Sequence, residues 1–226
     1  MAVALIVAGG SGQRLGSEIP KALVNVGGRP MLQWSVRAAQ SVSAISRIVL
    51  ALPGDHLAQA PRGTIAVVGG ASRSESVRAA LAAAGDGKEA DVVVVHDAAR
   101  PLVTPELFAA AIVEFERSGA DALVTAVPVT DTIKQVSIEG DMRVSATLDR
   151  SRLWAVQTPQ VFHRPALEWA LTAPREQLAR ATDDASLIEQ GGGIVAVMPA
   201  PTENFKITTE LDMRVAEMLL AGRRGL

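Results

Sequence analysis

The sequence predicts an α/β sandwich, in which a mostly parallel sheet is covered by helices, in a single domain. Short β-branched runs bounded by Gly, Pro or Asp recur along the 226 residues, and stretches with helical spacing lie between most of them. The predicted strands are apolar throughout instead of alternating, as strands buried on both faces are. The length is ample for one sizeable hydrophobic core.

Two sets of elements follow from this pattern, each in chain order. Buried strands are predicted at 3–8, 48–52, 65–68, 92–95, 123–127 and 194–198. Helices are predicted at 30–39, 74–84, 105–118, 183–190 and 209–221. Three consecutive glycines, 191–193, end the fourth helix directly before the last strand.

The apolar start of the chain is interpreted as a strand and not as a targeting segment. Residues 1–8 are far too few to span a bilayer, and no positively charged segment precedes them. No later window of the sequence reaches the roughly 18 uninterrupted apolar residues of a spanning helix. We therefore expect a soluble, cytoplasmic protein with no membrane partner.

One segment, 131–150, departs from the buried pattern. Polar and apolar residues alternate along 132–138 and 143–148, with a turn at 139–141 between them. This pattern predicts a two-stranded hairpin with one solvated face. An isolated hairpin is marginally stable, so it packs either on its own core or on another subunit, and an ordinary edge hairpin also fits the pattern.

The composition excludes several kinds of chemistry. The chain contains no Cys, no Tyr and only three His. It therefore has no thiolate nucleophile, disulfide, iron–sulfur cluster or Cys-ligated zinc, and no phenolic acid or base. With 22 Lys and Arg against 24 Asp and Glu, the net charge of −2 argues against a general nucleic-acid or anionic-membrane binder.

A Gly-rich segment, 9–16, follows the first predicted strand, and Pro20 and Lys21 come shortly after it. Such a turn presents backbone N–H groups to an anion, so a nucleotide phosphate is its natural ligand. A dinucleotide fingerprint fails because residue 15 is Leu, and a Walker loop fails because Pro20 precedes the lysine. Arg14 and Lys21 supply the cations that nucleotidyl transfer needs, although on this motif alone a solvated surface loop fits equally well.

Asp97 follows the strand predicted at 92–95. Ligands collect at the carboxyl ends of strands in open parallel sheets, so Asp97 is placed to hold a divalent cation that bridges triphosphate oxygens. The alternative is that Asp97 caps the following turn and pairs with Arg100. His96 is expected to be a packed or hydrogen-bonded residue and not a metal ligand, because no second His lies at ligand spacing.

Two more segments carry cations close to predicted strands. Gly69 and Gly70 follow the third strand and, with Arg73, leave room for a flat base or an anion, whereas a neighbouring serine fits an ordinary helix N-cap. Lys206 lies in a short apolar run before the last helix. A lysine there either extends outward to solvent or, if it points inward, needs an anion to stay charged.

Together and in this order, the motifs resemble the 2-C-methyl-D-erythritol 4-phosphate cytidylyltransferase family over essentially the whole chain. The matching segments are 7–15, 20–21, 69–76, 96–101, 128–134, 157–160, 182–186 and 204–208. The chain departs from the family pattern at Ala71, where Asp is common, so any side-chain contact from that position is lost.

The resemblance implies a Rossmann-like, three-layer α/β fold of the nucleotide-diphospho-sugar transferase type, in one domain spanning 1–226. It implies a protruding β-arm at about 131–150 that interlocks two subunits of a homodimer. The implied reaction, with Mg²⁺, transfers CMP from CTP to 2-C-methyl-D-erythritol 4-phosphate and releases pyrophosphate, in non-mevalonate isoprenoid biosynthesis. The alternatives are a pentitol-phosphate cytidylyltransferase and a non-catalytic nucleotide-binding module.

The resemblance also assigns site residues. The implied catalytic residues are Arg14, Lys21 and Lys206. The implied nucleotide-binding residues are Ala8, Gly9, Gly10, Ser11, Gly12, Gly70, Arg73 and Ser76. The implied contacts of the methylerythritol phosphate are Asp97, Arg100, Thr132 and Arg150, together with Lys206. The resemblance places Asp97 near Mg²⁺ and lets Arg150 reach the site of the other subunit.

Overall fold

A seven-stranded sheet forms the centre of the computed structural model, which describes residues 1–8, 19–85, 91–137 and 141–224. Within these ranges the strands are β1 (Ala2–Val7), β2 (Asn25–Val26), β3 (Arg29–Pro30), β4 (Ile45–Leu52), β5 (Ile65–Val68), β6 (Val92–Asp97), β7 (Ala122–Pro128), β8 (Lys134–Ser137), β9 (Arg143–Thr147), β10 (Trp154–His163) and β11 (Val195–Pro199). The α-helices are α1 (Met31–Gln40), α2 (Arg73–Ala83), α3 (Pro105–Ser118), α4 (Arg164–Ala170), α5 (Arg175–Arg180), α6 (Ala185–Gln190) and α7 (Glu210–Arg224).

The order of strands in the main sheet is β11-β7-β10-β6-β1-β4-β5. All of these pairings are parallel except those of β10, which runs antiparallel to both β6 and β7. All six predicted strands lie in this sheet, with small shifts at their ends. The prediction of a mostly parallel α/β sheet is confirmed.

Successive residues of β1 face two different hydrophobic clusters. Ala4 and Ile6 belong to a cluster that includes Phe108 and other residues of α1 and α3. Leu5 belongs to a second cluster that includes Val77 of α2 and residues of α4, α5 and α6. Both faces of the sheet are therefore removed from water by helices. The predicted three-layer arrangement is confirmed.

β10 is the main-sheet strand that the sequence pattern missed. Its middle carries Gln157, Thr158 and Pro159, and its first three residues are exposed, so it lacks a continuous apolar run. The ladder between β10 and β7 shifts register between Val156 and Gln160, in the same region. Insertion of β10 between β6 and β7 places these polar groups beside the end of β6.

The helix predictions hold where local capping signals are strong. α3 has the predicted bounds, because the Thr104 side chain accepts a hydrogen bond from the N–H of Leu107 and Gly119 ends the helix in the left-handed region at φ 64°. α6 ends at Gln190, as predicted, and Gly191 caps it. The short helices α4 and α5 were not predicted. None of the helices in the described ranges is long and apolar enough to cross a membrane.

The predicted hairpin is present as a separate two-stranded antiparallel sheet of β8 and β9. Nearly all of its residues are exposed, including the apolar side chains of Val136 and Val144. Its turn, residues 138–140, lies outside the described residues. The hairpin predicted from the alternating pattern is thus confirmed. Its role as an arm that joins two subunits stays a prediction.

Candidate active site

The carboxyl ends of neighbouring parallel strands meet at one edge of the main sheet. Val7 at the end of β1 lies opposite Asp97 at the end of β6. Gly69 follows β5, and its N–H donates to the carbonyl of Leu52, the last residue of β4. Ala8 is buried directly after β1. The topology therefore gathers Ala8, Gly69 and Asp97 at the edge where ligands of such sheets bind.

Each carboxylate oxygen of Asp97 accepts a hydrogen bond from a cationic side chain and forms an ion pair with it. The Nε of Arg73 lies 2.9 Å from Oδ1, and the Nζ of Lys206 lies 2.8 Å from Oδ2. The backbone N–H of Asp97 donates to Thr158 Oγ1 on β10 at 3.0 Å. The structure thus brings three predicted site residues into direct contact. Asp97 pairs with these two cations and not, as one alternative had it, with Arg100.

Arg73 is held from its other side by a second carboxylate. Its Nη1 donates to Oδ2 of Asp184 at 2.5 Å, and Asp184 is fully buried. Burial by itself would raise the pKa of Asp97, but Arg73 and Lys206 outweigh it and hold that pKa well below its ordinary value. Burial opposes the charge of Arg73, but Asp97 and Asp184 hold the pKa of Arg73 above its ordinary value. All of these shifts favour the charged forms.

The loop that carries Lys206 is fixed by Asn204. The side-chain Nδ2 of Asn204 donates to Gln157 Oε1 and to the carbonyl of Thr158, both at 2.8 Å. Its backbone carbonyl accepts from Arg100 Nη1 at 2.9 Å. The side chain of Lys206 nevertheless remains 41% exposed, so it can contact a ligand from solvent. Lys206 therefore combines the two predicted alternatives, because it pairs with an anion and is still partly exposed to solvent.

Arg100 is buried and donates to backbone carbonyls. Besides Asn204, it contacts the carbonyl of Val156 through Nη2 at 3.3 Å. Burial lowers the pKa of Arg100 from its ordinary value. In this structure Arg100 ties β10 to the loop before Lys206, and its predicted contact with substrate stays a prediction.

Ser76 supports the glycine turn after β5. Its buried Oγ accepts from the N–H of Gly70 at 3.1 Å and donates to the carbonyl of Ser72 at 2.9 Å. Ser72 caps α2, and Glu75 completes a capping box, so the N-cap alternative is also confirmed. A Cβ at Gly70 would lie only 2.3 Å from the Cβ of Glu75, so this turn requires glycine.

The donor set at Asp97 does not fit a resident divalent cation. Magnesium takes several oxygen ligands, whereas both oxygens of Asp97 are taken up by cationic side chains. The described ranges contain no cluster of three His, Asp or Glu side chains that would hold a metal ion. In this structure Asp97 holds two cationic side chains, and a metal contact of Asp97 stays a prediction. His96 is buried between Thr158 Oγ1 and the carbonyl of Arg100, as predicted for a packed residue.

The remaining predicted residues are placed as follows. Gly9, Gly10, Ser11, Gly12 and Arg14 lie outside the described residues. Lys21 is partly buried and begins a short 3-10 turn, Lys21–Leu23. Thr132 is exposed beside the hairpin, and the exposed Arg150 donates from Nη1 to the carbonyl of Thr130 at 2.6 Å.

Three residues of the site carried no role in the sequence predictions: Asp184, Thr158 and Asn204. All three lie in segments that matched family motifs, which was the one available signal. Their partners are 46 to 111 residues away along the chain. Local spacing therefore contained no information about these contacts.

A family model and several sequence relatives match the chain over nearly its full length. The model for IspD, 2-C-methyl-D-erythritol 4-phosphate cytidylyltransferase, matches residues 2–222. The enzyme with this name from Streptomyces avermitilis is 44% identical, over 98% of this chain and 92% of the relative. The one from Nocardia farcinica is 44% identical, over 99% of this chain and 96% of the relative. A bifunctional enzyme IspD/IspF from Clavibacter michiganensis is also 44% identical, but the chain spans only 55% of its length.

Solved structures show the same fold. The 2-C-methyl-D-erythritol 4-phosphate cytidylyltransferase of Thermus thermophilus aligns with a TM-score of 0.79 at 32% identity, over 98% of this chain and 100% of that one. The enzyme of the same name from Francisella tularensis aligns with a TM-score of 0.82 at 29% identity, over 96% of this chain and 98% of that one. The α/β fold is therefore shared along essentially the whole chain.

The glycine turn supports a prediction about stability. In Gly70→Ala the added Cβ meets the Cβ and backbone of Glu75, so we expect the free energy of unfolding in urea to fall by about 1–3 kcal/mol. The matched control is Gly222→Ala in α7, where an added Cβ meets nothing within 4 Å. This control is expected to keep or slightly raise stability. Equal stability of Gly70→Ala and the wild type would contradict the clash.

His96 supports a prediction about pH. Burial lowers the pKa of His96 from 6.5 to about 3, so between these values the unfolded chain binds a proton that the folded chain does not. Stability must therefore fall as the pH falls, by about 2 kcal/mol between pH 7 and pH 5. His96→Gln is expected to remove that part of the fall, measured by urea unfolding.

The lowered pKa of Asp97 affects stability in a different pH range. The stabilisation by Asp97 is lost only as the pH falls below 3.8, the pKa of this carboxyl in the unfolded chain. Above about pH 7.5 the stability curves of the wild type and His96→Gln should run parallel. An unchanged slope between pH 7 and pH 5 in His96→Gln would contradict a neutral, buried His96.

Proposed function

Since the chain belongs to the 2-C-methyl-D-erythritol 4-phosphate cytidylyltransferase family, we propose how its residues carry out the reaction of that family. The protein is a nucleotidyltransferase of isoprenoid biosynthesis that transfers CMP from CTP to 2-C-methyl-D-erythritol 4-phosphate. The names of its relatives favour this acceptor over a pentitol phosphate, and they favour an enzyme over a non-catalytic module.

The chemistry requires positioned cations more than a protein nucleophile. A phosphate oxygen of the alditol phosphate forms a bond to the α-phosphorus of CTP, and the bond from that phosphorus to the bridging oxygen of the β-phosphate breaks. Pyrophosphate leaves as an anion that needs no protonation. Negative charge grows on the non-bridging and leaving oxygens during this step, and fixed cations lower its energy. The lack of Cys and Tyr is compatible with this route.

The observation that carries the proposal is the pair of cations held on Asp97 at the ligand-binding edge of the sheet. We assign Lys206, whose ammonium is partly exposed, to the alditol phosphate and to the charge of the transition state. An incoming phosphate competes with Asp97 for this ammonium. Arg14 and Lys21, from the glycine segment and the turn after it, are assigned to the triphosphate.

The nucleotide side is assigned to the backbone of Ala8, Gly9, Gly10, Ser11 and Gly12 for the phosphates, and to Gly70, Arg73 and Ser76 for the cytidine. Because the Ser76 hydroxyl and the Gly70 N–H are bonded to each other, their proposed part is to keep the turn open and shaped for a flat base. Arg73 contributes by keeping Asp97 in place beside it.

Magnesium is proposed to enter as part of the substrate, bound to the triphosphate of CTP. The donor set of Asp97 argues against a site that holds the ion before CTP arrives. Phosphate oxygens are the ligands that this ion most often uses in nucleotide enzymes. We propose that the enzyme is located in the cytoplasm, where CTP is available.

A homodimer built through the hairpin is also proposed. Exposed apolar side chains continue from the hairpin onto the start of β10, namely Val136, Met142, Val144, Trp154 and Val156. Exposed apolar side chains in such number are typical of a surface that another protein covers. The second copy would cover it and receive Arg150 at its substrate site.

The two lysines give the first test of the assignments. Lys21→Ala and Lys206→Ala are each expected to lower kcat by about 10²–10³, because each removes a donor to transition-state charge. Turnover is measured as pyrophosphate release from CTP, Mg²⁺ and 2-C-methyl-D-erythritol 4-phosphate. Arg117→Ala on the surface of α3, where Arg117 pairs with Glu114, is the control and should leave kcat unchanged. A loss below about tenfold would count against a lysine's assignment.

Mixing two inactive variants tests whether sites are shared between subunits. Arg14→Ala and Arg150→Ala are each expected to be inactive alone. If Arg150 acts in the other subunit, a hybrid dimer contains one intact site, and complete exchange restores roughly a quarter of wild-type activity. Exchange is verified with differently tagged subunits. Absence of recovered activity despite exchange would show that Arg150 acts within its own subunit.

A further inference from the structure

Four charged side chains form one continuous chain of ion pairs from the core to the surface. Asp184 Oδ2 lies 2.5 Å from Arg73 Nη1, and Arg73 Nε lies 2.9 Å from Asp97 Oδ1. Asp97 Oδ2 lies 2.8 Å from Lys206 Nζ. The charges alternate, and the two ends differ most in exposure, with Asp184 at 0% and Lys206 at 41%.

We propose that Asp184 is a positioning residue for the reaction, because it anchors Arg73, which fixes the orientation of the Asp97 carboxylate that holds Lys206. This inference rests on the proposed role of Lys206. Asp184 itself contacts neither the ammonium of Lys206 nor, in this proposal, any substrate. Its effect is transmitted through two intervening side chains.

The side chain of Asp184 does not cap the helix that it precedes. Asp184 precedes α6, but its side chain makes no capping hydrogen bond there. The neighbouring Asp183 does that work, since its Oδ1 accepts from the N–H of Ser186 at 3.0 Å. Asp183 also accepts from Gln160 Nε2 at 3.0 Å. Of these two adjacent aspartates, Asp183 therefore caps its own helix, whereas Asp184 anchors a distant side chain, Arg73.

The anchor is rigid because α6 is packed in the core. Ala185, Leu187 and Ile188 belong to the hydrophobic cluster under the sheet. Arg73, by contrast, is the first residue of α2 and has a long side chain with many rotamers. A guanidinium held between two carboxylates loses that freedom, because its planar group presents donors in fixed directions.

Charge balance gives a second reason for Asp184. Two carboxylates and two cations make the chain neutral. Without the charge of Asp184, Arg73 and Lys206 share the single carboxylate of Asp97, and the four groups carry one uncompensated positive charge. Arg73 then draws the carboxylate toward itself, and Lys206 loses the geometry in which it meets the phosphate.

The test compares Asp184→Asn with Asp183→Asn, the adjacent aspartate that acts as a cap. At saturating CTP, Asp184→Asn is expected to lower kcat/KM for the alditol phosphate by about 10- to 100-fold, as when partners that orient metal ligands are removed. Because Asn caps a helix about as well as Asp, Asp183→Asn is expected to keep thermal stability close to that of the wild type and kcat/KM within about twofold of it. Wild-type activity of Asp184→Asn would overturn the proposal.

A double-mutant cycle separates positioning from a general structural effect. If Asp184 acts on Lys206, Asp184→Asn should change kcat/KM less than about twofold in a Lys206→Ala background. A structural defect would lower kcat/KM equally in both backgrounds, and that additive result would overturn the proposal. The Lys206→Ala single variant is measured first. Unchanged activity there would reject the role of Lys206 itself, a failure of the proposed function distinct from failure of this inference.

A second variant keeps the proposal testable if Asp184→Asn does not fold. Arg73→Lys retains the positive charge on a partly exposed side chain, but one ammonium lacks the fork that reaches both Asp97 and Asp184. The same fall in kcat/KM and the same coupling to Lys206→Ala are expected. A wild-type rate in Arg73→Lys, or effects that add to those of Lys206→Ala, would overturn the proposal.

Discussion

The carboxylate of Asp97, shared between Arg73 and Lys206, is the interaction on which the site depends. A buried charge is tolerated only where other charges and hydrogen bonds compensate it, so each partner must be in place for Asp97 to remain ionised. Those partners come from α2, from the loop before α7 and, through Thr158, from β10. The site therefore requires that the distant segments of the fold have already assembled.

The antiparallel strand β10 makes this assembly feasible. A wholly parallel sheet would place another apolar strand beside β6, whereas β10 brings Gln157 and Thr158 to the level of Asp97. These residues bind Asn204, and Arg100 joins the carbonyls of Asn204 and Val156. The result is a buried polar network that fixes the loop of Lys206. Such networks favour a unique arrangement when their members are paired.

The sequence predicted those features that depend on local patterns. The apolar strand before Asp97 and the capped helix α3 have local causes, and both are present. β10 was missed because polar residues interrupt its apolar pattern. The pairing of Asp97 with Arg73 instead of Arg100, and the contact of Arg73 with Asp184, join residues 24 and 111 positions apart. No helical or strand periodicity reports contacts at such separations, so only folding to the three-layer sheet reveals them.

The pairing of Arg73 and Lys206 with carboxylates explains how a chain of nearly neutral net charge can supply cations to the proposed reaction. Cations gathered for an anionic substrate would repel one another in the free enzyme, and internal carboxylates remove that repulsion. Arg73 is fixed on two sides, so exchanging its partners would break two ion pairs. Lys206 has one described carboxylate partner and a large exposed fraction, so the phosphate that we propose binds it needs to displace only Asp97. In the mechanism that we propose, the chain of charges thus separates a structural cation, Arg73, from an exchangeable one, Lys206, which a substrate phosphate recruits without breaking the ion pairs of Arg73.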